Sequence, residues 1–268
     1  MTEMIQFLAA PFVLCILLVG IHAYLGLHVL QRDVIFVDIS LAQVAALGGA
    51  LAMLFAHDHE TSLPILIALA LVLIAALVLA LLRHYEKKIS QEAIIGITYA
   101  LASGSLILVM DHLPHGGEHL KNSLVGNILF VTWTDVLVTG AIYAVVGGLH
   151  YYFRKRFWAS SKGELSSFKW DFAFYFLFGL VITFSTKHAG VLVVFSVLVV
   201  PAALATRFMD SVTSRLTFAW LFGLLATLAA FFLSLGLDLP SGATMVVTLT
   251  ASFFAILLSR LVYEKIGR

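Results

Sequence analysis

One long apolar run opens on an acid: in VDISLAQVAALGGALAM, Asp38 is followed at helical spacing by Ala42, Ala45 and Gly49. An acid at the centre of a membrane helix costs roughly 2.5–3.5 kcal/mol on insertion scales, so it normally faces protein or water. Small residues four, seven and eleven positions on share its face and let another helix approach closely. Asp38 therefore points into the protein interior, where its charge can meet a cation. The plainer role for an acid at a helix start is to cap free N–H groups. Gln43 is the other polar residue of this run, and five positions on it points about 140° away from Asp38. Histidines collect elsewhere, with His57 and His59 in HDHE and His112, His115 and His119 in DHLPHGGEH. Neutral imidazole suits zinc and similar transition metals, and Asp and Glu lie among these rings. The same residue types are also ordinary in exposed loops. His22 and His28, six apart, do not share a helix face and read as packed, hydrogen-bonded side chains. Asp135 and Asp238 sit at the ends of apolar runs and read as caps.

The elements that hold these residues follow from composition. Of 268 residues 61% are hydrophobic and only 12% charged, with a mean hydropathy of +1.03. The apolar residues come in blocks of about 20, the length that crosses a hydrocarbon core roughly 30 Å thick. This is the pattern of a polytopic membrane protein. Spans are expected near 4–30, 37–56, 64–83, 93–110, 134–153, 170–185, 189–206, 215–236 and 243–262, nine in all. The pair flanking Lys187 and His188 is short, and one broken span there would make eight. Alternate loops sort the basic residues sharply. One side holds Arg32, Arg83, Lys87, Lys88, Arg154, Lys155, Arg156, Lys162, Lys169, Arg207, Arg215, Arg260, Lys265 and Arg268; the other holds Lys121 and Lys187. The positive-inside rule makes the first side cytoplasmic, with the N-terminus outside and the C-terminus inside. The histidine-rich loops then face outward. The one cysteine, Cys15, excludes an internal disulfide and a cysteine zinc site. The first residues lack the basic segment of a cleaved signal peptide. No GxxxxGK[ST] loop occurs, so ATP is not bound in that manner.

Two prolines near the end carry a further signal. Pro201 in VLVVPAALATRF would remove the N–H that bonds the Val197 carbonyl, and Pro240 in LDLPSGATMVV suits a first helical turn. Transporters place such structural breaks beside their pathways. Four stretches, SQEAIIGITYALASGSLILV, LVGNILFVTWTDVL, GVLVVFSVLVVPAALATR and LDLPSGATMVV, occur in the order of one family. Through them the chain resembles the ABC-3 permeases, the membrane subunits of bacterial ATP-binding-cassette importers for zinc, manganese or iron. The resemblance covers roughly residues 30–260. It implies an all-α fold of eight to nine transmembrane helices, one permease domain over 1–268, and a place in the bacterial inner membrane. It further implies a homodimer, a separate cytoplasmic ATPase and an extracytoplasmic metal-binding protein. The divalent ion is cargo, with no covalent cofactor and no nucleic acid. The chain would then be a transporter subunit, not an enzyme.

By the same resemblance Asp38 lies where the family handles the ion; with Gln43 it marks the expected ion path, while residue chemistry makes His57, His59, His112, His115 and His119 the expected outer-loop ligands. The basic segment RKRFWASSKGELSSFKWD would dock the ATPase through Phe157, Trp158 and Phe168. One departure stands out. The family's second span carries G-D-x-x-S-H-A, whereas this chain has Ala42 in place of the histidine and Gln43 one step later. That motivates a second expectation, a permease for a chelated metal or other cargo. An intramembrane metalloenzyme is the third, against which no HExxH or Ser–His pattern lies within a span.

Overall fold

The computed structural model describes residues 2–55, 62–113 and 116–266, and all regular structure among them is helical. In chain order the helices are α1 (Thr2–Gln31), α2 (Val37–Phe55), α3 (Leu63–Tyr85), α4 (Gln91–Asp111), α5 (Gly116–Val125), α6 (Trp133–Tyr152), α7 (Arg154–Ser161), α8 (Phe168–Ala189), α9 (Val191–Phe208), α10 (Val212–Leu237) and α11 (Ser241–Ile266). A single 3₁₀ turn, Ile128–Phe130, precedes α6. In hydrocarbon each backbone N–H and C=O must find a partner within the protein, and an unbroken helix supplies them all. Side-chain caps set several starts: Ser90 accepts from Ala93 N–H, Ser211 from Ser214 N–H, and Thr132 forms a reciprocal capping box with Asp135.

Eight of these helices are long and apolar enough to cross a membrane. The ninth crossing is α6, which joins α7 through an 80° bend. Both ends of α6 are fixed by α1. The turn before α6 packs on one end of α1, with the Phe7 and Phe130 rings 6.1 Å apart. α7 packs on the other end, where Ser161 meets His28. α6 thus traverses the full height of the bundle and α7 turns into the membrane plane.

The short pair α8 and α9 also resolves as two crossings. Asp171, at the start of α8, pairs with Arg32 at the end of α1, while His188 at its far end faces Asp135 at the start of α6. Only Gly190 separates α8 from α9. Its φ of +77° and ψ of +159° belong to a region essentially reserved for glycine, and its α-carbon lies against the Gly126 backbone. The single-residue reversal exists because no side chain stands there.

α2 and α9 occupy the centre, each with 61% of its apolar window buried, against 11% for α11. Gly26 brings α1 against the Leu198 carbonyl of α9 at backbone contact. The expected break at Pro201 is not found, because α9 runs through it as one helix. Its ring instead packs over Gly223 of α10, and neighbours on several sides hold α9 continuous. Pro240 lies just ahead of α11, where its carbonyl accepts the Thr244 N–H at 3.0 Å. It marks a helix start and not a break within one.

Candidate functional site

Asp38 is the second residue of α2 and only 1% exposed. The N–H groups of Asp38 and Ile39 face its carboxylate, yet Oδ1 has no partner among the described residues. Capping accounts for one side of this group and leaves the other open. Glu92, in the first turn of α4, sits alongside: its Oε1 accepts the Phe36 N–H at 3.2 Å, two residues before Asp38. The starts of α2 and α4 therefore bring two carboxylates together at the end of the bundle where most Lys and Arg residues collect. In the sequence Glu92 stands in SQEAIIG, the opening of one of the four stretches that carry the family resemblance.

The face of Asp38 leads outward. Ala42 and Ala45 above it are buried, and Ala45 and Gly49 line an open cavity of about 580 Å³. Eleven residues separate Asp38 from Gly49, a helix length of about 16 Å. Across the cavity α8 contributes Thr183, Thr186 and Lys187, and α5 contributes Ser123. Gln43 is buried at 4% exposure. Because α2 is regular from end to end, no bulge turns Gln43 toward Asp38. The structure keeps the two on different sides of the helix.

The loop histidines separate. His57, His59 and His115 lie outside the described residues, and for His119 the backbone in α5 is described but not the side chain. His112 follows α4 and is exposed, its Nδ1–H donating to the Leu108 carbonyl at 2.9 Å. No group of three His, Cys, Asp or Glu side chains gathers among the described residues. At the outer end Asp135 accepts both Thr132 groups, with Lys187 Nζ and His188 Nε2 each 3.8 Å from its Oδ1. Asp238 ends α10 in the left-handed conformation at φ +53°.

The same basic-rich end of the bundle holds a buried polar cluster that no local spacing in the sequence announces. Arg32 donates to Asp171 at 2.8 Å, to Ser160 at 2.9 Å and to Ser161 at 2.9 Å, while its guanidinium lies 4.0 Å over the Phe174 ring. Ser160 also donates to Asp171 at 2.9 Å, Arg83 from α3 stands 3.4 Å from the same oxygen, and His28 meets Ser161 at 2.8 Å. Burial draws Arg32 down from the usual arginine range, and the neighbouring Tyr175 and Asp171 oppose that shift. The cluster ties α1, α3, α7 and α8 together. His22 and His28 are packed and bonded as expected, His22 through Nδ1 to the Leu18 carbonyl at 2.8 Å.

This cluster corrects the expected docking anchors. Phe157 is 1% exposed and stacks on His150 with centroids 4.0 Å apart, so no partner can reach it. Trp158 is half-buried on His28, and Phe168 is half-buried on Phe172. A short amphipathic helix at the membrane surface folds its aromatic side inward and leaves Arg154, Lys155 and Arg156 exposed.

A bundle of apolar helices long enough to cross a membrane, with a buried acid at the start of a central one, has the make-up of a polytopic membrane protein, and its likeness to known proteins gives the family. The sequence profile of the ABC 3 transport family matches residues 4–260, and the chain belongs to that family. It is 26% identical over 253 residues to the high-affinity zinc uptake system membrane protein ZnuB of Haemophilus influenzae, covering 92% of this chain and 94% of that protein. It is 28% identical over 179 residues to the manganese transport system membrane protein MntC of Listeria monocytogenes, covering 64% of this chain and 63% of that one. Among solved structures, PsaBC from Streptococcus pneumoniae in complex with Fab shares the fold at a TM-score of 0.77 and 22% identity, over 95% of this chain and 93% of that one.

Proposed function

We propose that this chain is the membrane permease of an importer that carries a divalent transition-metal ion across the bacterial inner membrane. The observation that carries the reading is Asp38: a fully buried carboxylate with one oxygen unpartnered, on the helix face that leads to the outer cavity. The zinc and manganese transport named for the relatives supports the class of cargo. Two copies of the chain form the pathway, and an outer binding protein delivers the ion. A separate cytoplasmic ATPase supplies the energy, since this chain has no phosphate-binding loop of its own. The exposed basic residues of α7 offer the docking surface for that ATPase.

The test is zinc and manganese uptake by cells expressing the chain with its ATPase and binding protein. Unit charges 4 Å apart at an effective dielectric near 20 interact by about 4 kcal/mol. A tenfold loss of transport needs only about 1.4 kcal/mol of that. Asp38→Asn is expected to lower uptake at least about tenfold, with membrane assembly unchanged. If Asp38 only capped α2, Asn would serve as well and uptake would stay normal. Replacing the five loop histidines by Ala is expected to lower uptake mainly when metal is scarce. Full transport by Asp38→Asn combined with loss in the histidine variant overturns the reading.

A second cargo has an observation in its favour. The outer cavity is lined by Lys187 and the hydroxyls of Ser62, Ser123, Thr183 and Thr186, with no carboxylate among its described lining. Such a lining suits a chelated metal bearing anionic oxygens better than a bare cation. Competition between free and chelated metal in the same uptake assay separates the two.

A further inference from the structure

Between α6 and α8, at the end of the bundle where the Lys and Arg residues collect, runs an open cleft of about 450 Å³ that the ion path does not use. Its walls are apolar: Leu149 of α6 and Phe153 at the bend between α6 and α7 face Phe172, Ala173, Phe176 and Leu177 of α8. On α8 the lining extends from Lys169 to Leu177, so the cleft descends about 12 Å into the membrane from its mouth. The mouth is different in kind. Lys169 at the start of α8 and Arg156 on α7 both belong to its lining, and both are exposed. Trp170 lies between them, with the Arg156 guanidinium 5.2 Å from its ring and Phe153 5.3 Å away. No acid is among its described lining residues. Asp171, the nearest carboxylate in sequence, is buried and bonded to Arg32 on another side of α8.

We infer that this cleft binds one anionic glycerophospholipid of the cytoplasmic leaflet, its phosphate between Arg156 and Lys169 and an acyl chain along the apolar wall. Three observations agree on this occupant. The cations sit at the cytoplasmic end, where the leaflet carries anionic lipid and attracts basic residues near the surface. The apolar wall lies below them at the depth of hydrocarbon. A tryptophan occupies the boundary, where its amphipathic ring is favoured. A soluble anion would use the mouth and leave the wall uncovered. A second copy of the chain would have to bring a carboxylate to meet Arg156 and Lys169.

The test uses the full chain in mild detergent, with lipid bound per chain counted by native mass spectrometry. The probes are phosphatidylglycerol and phosphatidylcholine of equal chain length. The wild-type chain is expected to hold phosphatidylglycerol in clear preference. Each cation near the surface contributes about a fivefold preference, so Arg156→Gln with Lys169→Gln is expected to weaken phosphatidylglycerol binding about thirtyfold and leave phosphatidylcholine unchanged. Ala173→Trp keeps both charges but fills the wall, and is expected to reduce phosphatidylglycerol binding as well. Equal retention of the two lipids overturns the proposal. So does loss in the charge variant with no effect of Ala173→Trp, which would mean diffuse surface attraction. Cys15 is buried, so Ala173→Cys supplies one accessible thiol. A disulfide between two copies through position 173 in native membranes would give the cleft to a second chain and also overturn it.

Discussion

Replacing Asp171 by Asn tests what holds the cytoplasmic end together. One carboxylate oxygen, Oδ1, takes Arg32 at 2.8 Å, Ser160 at 2.9 Å and Arg83 at 3.4 Å. Asn keeps the shape and an acceptor oxygen but withdraws the charge, stranding the Arg32 cation, whose side chain is 0% exposed. Removing one partner of a buried pair costs about 3–5 kcal/mol. The lower end applies here, since Arg32 keeps Ser160, Ser161 and the face of Phe174. Arg83 adds little, because at 20% exposure it can turn to water. At about 2–4 °C per kcal/mol, a loss of about 3 kcal/mol lowers Tm by about 6–12 °C, read by thermal unfolding of the detergent-solubilised chain. The paired change Arg32→Met with Asp171→Leu removes both charges and is expected to recover most of that loss, because apolar replacement of a buried pair is often neutral or better. A fall of less than about 2 °C for Asp171→Asn would refute the reasoning. So would a double variant as unstable as the sum of its parts.

Phe157→Ala removes a fully buried ring from the stack on His150 and is expected to cost about 3–5 kcal/mol, seen as a lower Tm of the chain alone. Were Phe157 a docking anchor, the same change would spare Tm and weaken only ATPase association. Gly190→Ala places a side chain at φ +77° against the Gly126 backbone. Strain in that region costs about 1–3 kcal/mol before any clash, so reduced yield and Tm are expected, while Gly163→Ala, in open space at φ +75°, should cost less.

Much of the architecture was legible because the bilayer leaves so few options. Long apolar blocks must be helices, so the nine expected spans match the observed helices to within a few residues at most ends. The two helices not anticipated, α5 and α7, are short and polar and lie outside any apolar block. Pro201 misled because its cost was counted for an isolated helix, whereas α9 is enclosed by neighbours.

The sequence by itself determined the membrane class, the family and the inward face of Asp38, since each depends on local composition, periodicity or ordered motifs. Tertiary structure alone decided that Phe157 is core, that Glu92 stands beside Asp38, and that Arg32, Arg83, Ser160 and Asp171 form one cluster. The bonded partners in that cluster are separated by 11 to 139 positions, and no local spacing encodes which helices meet. The meeting is set by packing, where Gly26 admits α9 against α1 and Gly190 turns the chain in a single residue.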